Sequence, residues 1–334
     1  MEDAARLLLG LACVLASSWL FTEGLEWLGA RLHLPSAVLG TVFAALGTAL
    51  PEASIAVLAA LVRRPPDGGA AARSAVSLGA VLGAPLLLST VGFTVLGIGT
   101  LRAGRRQLRV AAGTVRRDLL FFLCTFGAAA AIGVAGLSAG WRAVAAALLV
   151  LAYGLFIIAT LSDGSSAAAP AERPRRLFLA FGGAAGADPP SALIGLQLGV
   201  AVALMVGGAE LFVHTLTGFA ARAQISGFVL SALIAPLATE LPETLNSIVW
   251  IGRDRDALAT GNVTGAMALQ GAVIPALGLV FTPWHFTFEE GAAAVLAVTG
   301  AAVVAVALWR EGRLRPWLLV GAGVLYAVFV IWAL

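Results

Sequence analysis

Lysine is absent from the chain: every one of its 21 lysine-or-arginine positions is arginine, and charged residues of both signs make up only 12% of its 334 residues. A soluble domain carries about a quarter charged residues, so this shortage argues against a solvated surface. What fills the space is apolar. Hydrophobic residues account for 60% of the chain and the mean hydropathy is +0.96, which indicates a polytopic membrane protein. The net charge of +3 comes from arginines lying in loops between apolar runs, so no nucleic-acid partner is expected. Cysteine is equally scarce. Cys13 and Cys124 lie far apart in apolar runs without metal-ligand spacing and read as small buried hydrophobes. His33, His214 and His285 have no mutual spacing that suggests a metal site. There is no nucleotide-binding glycine loop, nucleophile elbow or metal-hydrolase motif, so no enzyme, no catalytic residue and no cofactor is expected. The acidic start, Met1-Glu2-Asp3, lacks the positive region of a signal peptide, and the first apolar run is expected to be retained.

Runs of about 20 apolar residues mark transmembrane helices. Ten are expected, at roughly 6–29, 36–62, 75–100, 118–136, 141–161, 193–218, 226–251, 258–281, 288–309 and 316–333. Between the fifth and sixth lies 162–190, rich in Ala, Gly, Ser and Pro with Arg173, Arg175 and Arg176. It reads as a linker between two five-helix halves, 1–161 and 191–334. Cytoplasmic loops collect arginine. One side of this plan holds fifteen arginines: Arg31, the six from Arg102 to Arg117, the three of the linker, Arg253, Arg255, Arg310, Arg313 and Arg315. The other side holds six. The chain is therefore expected in the cell membrane as a multi-pass protein, its linker cytoplasmic and both termini outside.

Inside these runs, Ala238-Thr239-Glu240-Leu241-Pro242-Glu243 stands out, because two carboxylates and a proline interrupt an apolar span. An ionisable group there is costly and marks an ion or proton pathway by default. The segment has a partner in Gly47-Thr48-Ala49-Leu50-Pro51-Glu52. A shift of 191 residues superposes Thr48 on Thr239 and Leu50-Pro51-Glu52 on Leu241-Pro242-Glu243; Gly79 and Gly83 then answer to Gly261 and Gly265 after a shorter loop. Five helices separate the copies, so the second runs through the membrane in the opposite sense. The expected fold is all-α, ten transmembrane helices as two inverted five-helix repeats. Such architectures hold ions near the bilayer midplane between broken helices.

Hard cations take oxygen ligands. Glu52 and Glu243 are the expected metal-holding carboxylates, each four residues after a threonine (Thr48, Thr239), with carbonyls released by Pro51 and Pro242. Asn262 and Gln270 supply neutral oxygens from the following span, and Pro275 is expected to break that helix. Glu240 either enlarges the site, carries a proton, or faces away toward an arginine or the linker. Glu210 is expected behind the ligands rather than among them. Glu23 and Glu26 lie toward one end of the first span, where interfacial solvation and function are both open.

Gly47-Thr48-Ala49-Leu50-Pro51-Glu52, Thr239-Glu240-Leu241-Pro242-Glu243 and Gly261-Asn262-Val263-Thr264-Gly265 resemble the repeat signatures of the calcium/cation antiporter superfamily, the sodium/calcium exchanger membrane-region family. The resemblance covers about 37–100 and 225–281. It implies exchange of Ca²⁺ against Na⁺ or H⁺ by alternating access, with Glu52 and Glu243 as principal ligands. Lipid and small inorganic cations are then the partners, with no obligate protein partner. The chain departs from the family where Ala80 and Leu88 replace expected polar residues, where Ala84 and Ala266 replace serines, and where Gln270 stands for Asn or Asp. Few neutral ligands around close carboxylates favour protons as the exchanged charge. The alternative is a divergent, non-transporting membrane protein that keeps the fold as a sensor or structural unit.

Overall fold

The structure, a computed structural model, describes residues 2–48, 70–163, 177–178, 188–222, 236 and 240–333. Glu52, Thr239, the side chain of Thr48 and most of 162–190 lie outside them. The regular elements are helices: α1 (Glu2–Arg31), α2 (Ser36–Val38), α3 (Ala45–Thr48), α4 (Ala70–Leu87), α5 (Phe93–Arg102), α6 (Ala112–Ala135), α7 (Ala139–Asp163), α8 (Ser191–Arg222), α9 (Leu241–Gly252), α10 (Asp256–Phe281), α11 (Phe288–Glu311) and α12 (Pro316–Ala333). Two π-helical turns, Leu39–Ala44 and Leu88–Gly92, join α2 to α3 and α4 to α5. Among the described residues, eight helices are long and apolar enough to cross a membrane. They overlap eight of the ten expected spans. The other two, 36–62 and 226–251, are represented by their described parts, 36–48 and α9.

α10 is the centre. In its most apolar stretch 83% of residues are buried, against 28% for α7 and α12. The outer helices turn Leu148, Leu151, Leu155 and Ile158 of α7, and Val324, Val328 and Ile331 of α12, to the outside. That arrangement suits lipid, which offers nothing to a polar side chain. The polar residues sit inside: Thr260, Asn262, Thr264 and Gln270 of α10 are all buried.

Glycines let α10 come this close. A Cβ on Gly261 would lie 2.9 Å from the Thr41 nitrogen, and one on Gly265 would overlap the Thr41 carbonyl. From the other partner, a Cβ on Gly40 would lie 2.7 Å from the Leu258 carbonyl oxygen. The first π-helical turn therefore packs backbone to backbone on α10, as small residues permit in membrane bundles. The second π-helical turn follows Pro85, which lies inside α4 and lacks a backbone donor. Hydroxyl groups take up the loosened carbonyls: Ser89 Oγ donates to Leu86 O at 3.2 Å, and Thr90 Oγ1 to Leu87 O at 3.3 Å.

Pro275, by contrast, does not break its helix: α10 runs unbroken from Asp256 to Phe281 with Pro275 inside it. A proline costs one hydrogen bond and a steric adjustment, and a helix packed on all sides tolerates both.

The arginine-bearing loops gather at one end of the bundle. Arg105 pairs with Asp256 at 2.5 Å and donates through Nη2 to Ile251 O at 2.8 Å, joining the α5–α6 loop to the α9–α10 turn. Leu108 N donates to Leu314 O at 3.1 Å, which adds the α11–α12 loop. Arg31 Nη1 donates to Pro189 O at 3.0 Å, which adds the end of the 162–190 segment. At the other end Arg142 donates to Thr282 O at 2.6 Å. The described arginine loops expected on one side thus meet at one end, while Arg173, Arg175 and Arg176 lie outside the described residues.

Candidate cation-binding site

α9 begins at the Pro-Glu segment. Glu240 stands at the N-cap position, Pro242 lies in the first turn and Glu243 directly follows it. A proline costs little here, because first-turn N–H groups have no partner within the helix. The helix start also carries a partial positive charge that favours a carboxylate. α9 thus starts within the functional segment itself. Glu240 N donates to Pro236 O at 2.9 Å, and Thr244 N donates to Glu240 O at 3.1 Å.

α10 meets this segment with its amides. Gln270 Nε2 donates to Glu240 Oε1 at 2.9 Å. Asn262 Nδ2 donates to the Glu243 carbonyl oxygen at 3.1 Å. Ser247 Oγ donates to the same carbonyl at 2.7 Å and lies 3.2 Å from Ala259 O. Glu240, Glu243 and Asn262 have no exposed surface, and Gln270 has 1%. Four of the residues singled out from the sequence are therefore brought together at one buried crossing. Glu240 is buried and accepts from Gln270. The amide nitrogens of Asn262 and Gln270 thus both donate to oxygens of the Pro-Glu segment. Two carboxylates three residues apart, in a dry crossing lined by amide and carbonyl oxygens, form the kind of oxygen set that hard cations take. Among the described residues no group of three His, Cys, Asp or Glu side chains is placed to hold a metal. Glu52, Thr48 and Thr239 complete the expected ligand set from outside those residues.

Other expectations fall elsewhere. Glu210 lies exposed on α8, outside the buried crossing it was expected to support. Glu26 of α1 is buried, and its Oε1 sits 3.5 Å from Arg253 Nη1 at the end of α9; Glu23 Oε1 lies 3.7 Å from Arg253 Nη2.

Asp118 and Asn246 are two of the buried polar residues that the sequence reading did not single out. Asp118 of α6 has no exposed surface. Its Oδ2 accepts from Thr264 Oγ1 of α10 at 2.8 Å and from Thr41 Oγ1 of the first π-helical turn at 3.2 Å. Its Oδ1 accepts from Arg117 Nη2 at 2.9 Å. One carboxylate thus ties three elements at the place where Gly261 and Gly265 meet Thr41. Asp118 stands at the first position of the expected span 118–136, directly after Arg116-Arg117. The second group is Asn246, fully buried on α9 one turn beyond Glu243. Its three-residue spacing from Glu243 was the available signal.

Comparison with known proteins gives the family and the fold. The family model described as "sodium/calcium exchanger protein" matches residues 3–162 and 193–334. An uncharacterized membrane protein of Methanocaldococcus jannaschii, MJ0091, is 24% identical over 293 residues, covering 87% of this chain and 85% of its own. The putative antiporter CaxA of Alkalimonas amylolytica is 24% identical over 284 residues, covering 83% of this chain and 80% of its own. The inner membrane protein YrbG of Escherichia coli is 23% identical over 344 residues, covering 98% and 96%. Among solved structures, the sodium-calcium exchanger NCX_Mj soaked with 2.5 mM Na⁺ and 1 mM Sr²⁺ superposes with a TM-score of 0.74 at 20% identity, covering 99% of this chain and 98% of that one. That likeness concerns the fold. The match of the family model along nearly the whole length, over a multi-pass helical chain whose Pro-Glu segment meets its Gly-Asn helix at a buried crossing, makes this chain a member of the sodium/calcium exchanger family of ion exchangers.

Proposed function

We propose that the chain is a secondary antiporter that moves Ca²⁺ across the cell membrane in exchange for H⁺ or Na⁺ by alternating access. It would be built as ten helices in two inverted five-helix repeats, 1–161 and 191–334, with 162–190 cytoplasmic and both termini outside. The observation that carries this reading is the crossing of α9 and α10, where Glu240 and Glu243 are buried against Gln270 and Asn262. Glu243 and, from the first half, Glu52 are the principal ligands. Thr48, Thr239, Asn262 and Gln270 add neutral oxygens. The gathering of arginine loops at one end of the bundle supports the orientation.

Protons are the favoured counter-ion. Ala80 and Leu88 remove neutral oxygens that several sodium ions would need, while Glu240 adds a carboxylate beside Gln270. Glu240, three residues before Glu243, is the residue that would carry the exchanged proton. The test is Ca²⁺ flux into proteoliposomes under one imposed gradient at a time. Uptake driven by a pH gradient without Na⁺ supports proton exchange, and uptake that needs Na⁺ and ignores pH between about 6 and 8 decides for sodium.

A further inference from the structure

The buried stripe of α9 continues past the proposed ligands. With 3.6 residues per turn, Glu243, Asn246, Ser247 and Trp250 fall on one face, and all four are buried. Ser247 is satisfied by the Glu243 and Ala259 carbonyls. Asn246 differs. Its relative exposure is 0%, yet among the described residues neither Nδ2 nor Oδ1 has a hydrogen-bond partner. Leaving an amide buried without partners costs free energy, and native proteins rarely keep such a group without a use.

The surroundings indicate that use. Residues three apart on a helix have Cβ atoms about 5–6 Å apart, close enough for a carboxylate and an amide oxygen to bind one ion at roughly 2.3–2.6 Å each. Farther along the same face, Trp250 adjoins α1 at Glu26, and α9 ends at Arg253 beside Glu26 and Glu23. The stripe therefore leads from the proposed site to the arginine-rich end through polar groups. The other half of the chain offers no counterpart, since the shift of 191 that superposes Glu52 on Glu243 places Ile55 at Asn246.

We propose that Asn246 is a further cation ligand, its Oδ1 binding the ion together with Glu243 on the side that opens to the arginine-rich end. The proposal rests on the reading of Glu243 as a cation ligand. Nδ2 then donates to the Glu243 carboxylate or to a water carried by the ion. Because only the second half has this ligand, it sets affinity on one face of the membrane more than on the other.

The experiment uses the full chain, with Asn246→Leu and Asn246→Asp beside the wild type. Ca²⁺ is titrated onto the detergent-solubilised protein calorimetrically, and Ca²⁺ saturation of flux is measured from each face of proteoliposomes of known orientation. Asn246→Leu, of similar volume, is expected to weaken Ca²⁺ binding about tenfold, or about 1.4 kcal/mol. Half-saturation should rise mainly on the arginine-rich face, and the ion-free melting temperature should rise because a buried unsatisfied amide is gone. Asn246→Asp should retain or tighten Ca²⁺ binding. Wild-type binding and flux curves in Asn246→Leu would overturn the proposal while leaving the Glu243 reading intact. Equal weakening on both faces with a lowered melting temperature would also overturn it, by showing a packing role. A wild type that neither binds nor moves Ca²⁺ would sink the reading of Glu243, and this one with it.

Discussion

Asp118 and Asn246 are both fully buried polar residues in the same bundle, and they differ in how they are satisfied. Asp118 receives protein donors on both oxygens, from Arg117, Thr41 and Thr264, at a seam where backbone meets backbone. Asn246 receives none among the described residues and lies on the face of α9 that also carries Glu243. A buried network that is complete rigidifies its surroundings, whereas an incomplete one keeps binding capacity in reserve. The α6–α10 seam is thus the frame against which α10 is held, and the α9 stripe is where the proposed ion site lies. A transporter needs both, since a ligand set that moves must be measured against something that stays.

Breaking each side of this contrast gives different signatures. The largest effect belongs to Glu243→Gln. Removing one charge from a dry ion site costs several kcal/mol, so Ca²⁺ flux should fall by at least about a hundredfold (roughly 2.7 kcal/mol), with the melting temperature little changed. Next is Asp118→Ala, which orphans Thr41 and Thr264 and frees Arg117. A loss of about 3 kcal/mol of stability is expected, seen as a lowered melting temperature in detergent. Ca²⁺ affinity in the surviving folded fraction should stay near wild type; an affinity loss without destabilisation would move Asp118 from frame to site.

Glu240→Gln sharpens the contrast within the site. It keeps the Gln270 contact sterically but removes a titrating group, so the pH dependence of flux should shift more than the apparent Ca²⁺ affinity. The smallest effect is expected for Arg253→Gln. Its partners Glu26 and Glu23 lie at 3.5 and 3.7 Å, and the arginine remains 27% exposed. Such pairs contribute about 1 kcal/mol or less, so flux should change by no more than severalfold.

The sequence made the frame of the fold legible and parts of the site less so. Eight expected spans overlap eight apolar helices, because lipid forces backbone pairing into helices and hydropathy reports their length. Arginine bias likewise foretold which loops meet at one end. The Pro-Glu segment was readable as a functional interruption, yet its form, a helix starting at Leu241, depends on what α10 supplies. Asp118 stood at the very edge of an expected span, and only the fold brings Thr41 and Thr264 to it. The π-helical turn at Leu39–Ala44 left no mark in the apolar pattern, since it answers to the close approach of Gly261 and Gly265. Pro275 suggested a break that packing prevents, and Glu210 suggested a supporting role that its exposed place on α8 does not provide.

Orientation is open to direct labelling. With the arginine-rich end inside, a cysteine replacing Ser165 in the linker should be shielded from an impermeant thiol reagent in intact cells, and one replacing Asp67 should react. The reverse pattern would invert the orientation and leave the repeat untouched.

The most direct test of the central claim is radiolabelled Ca²⁺ uptake by the wild type and Glu243→Gln in proteoliposomes under an imposed H⁺ or Na⁺ gradient. Gradient-driven uptake by the wild type, lost in Glu243→Gln while both proteins remain folded, is the predicted result. Equal uptake by the two proteins would contradict the account.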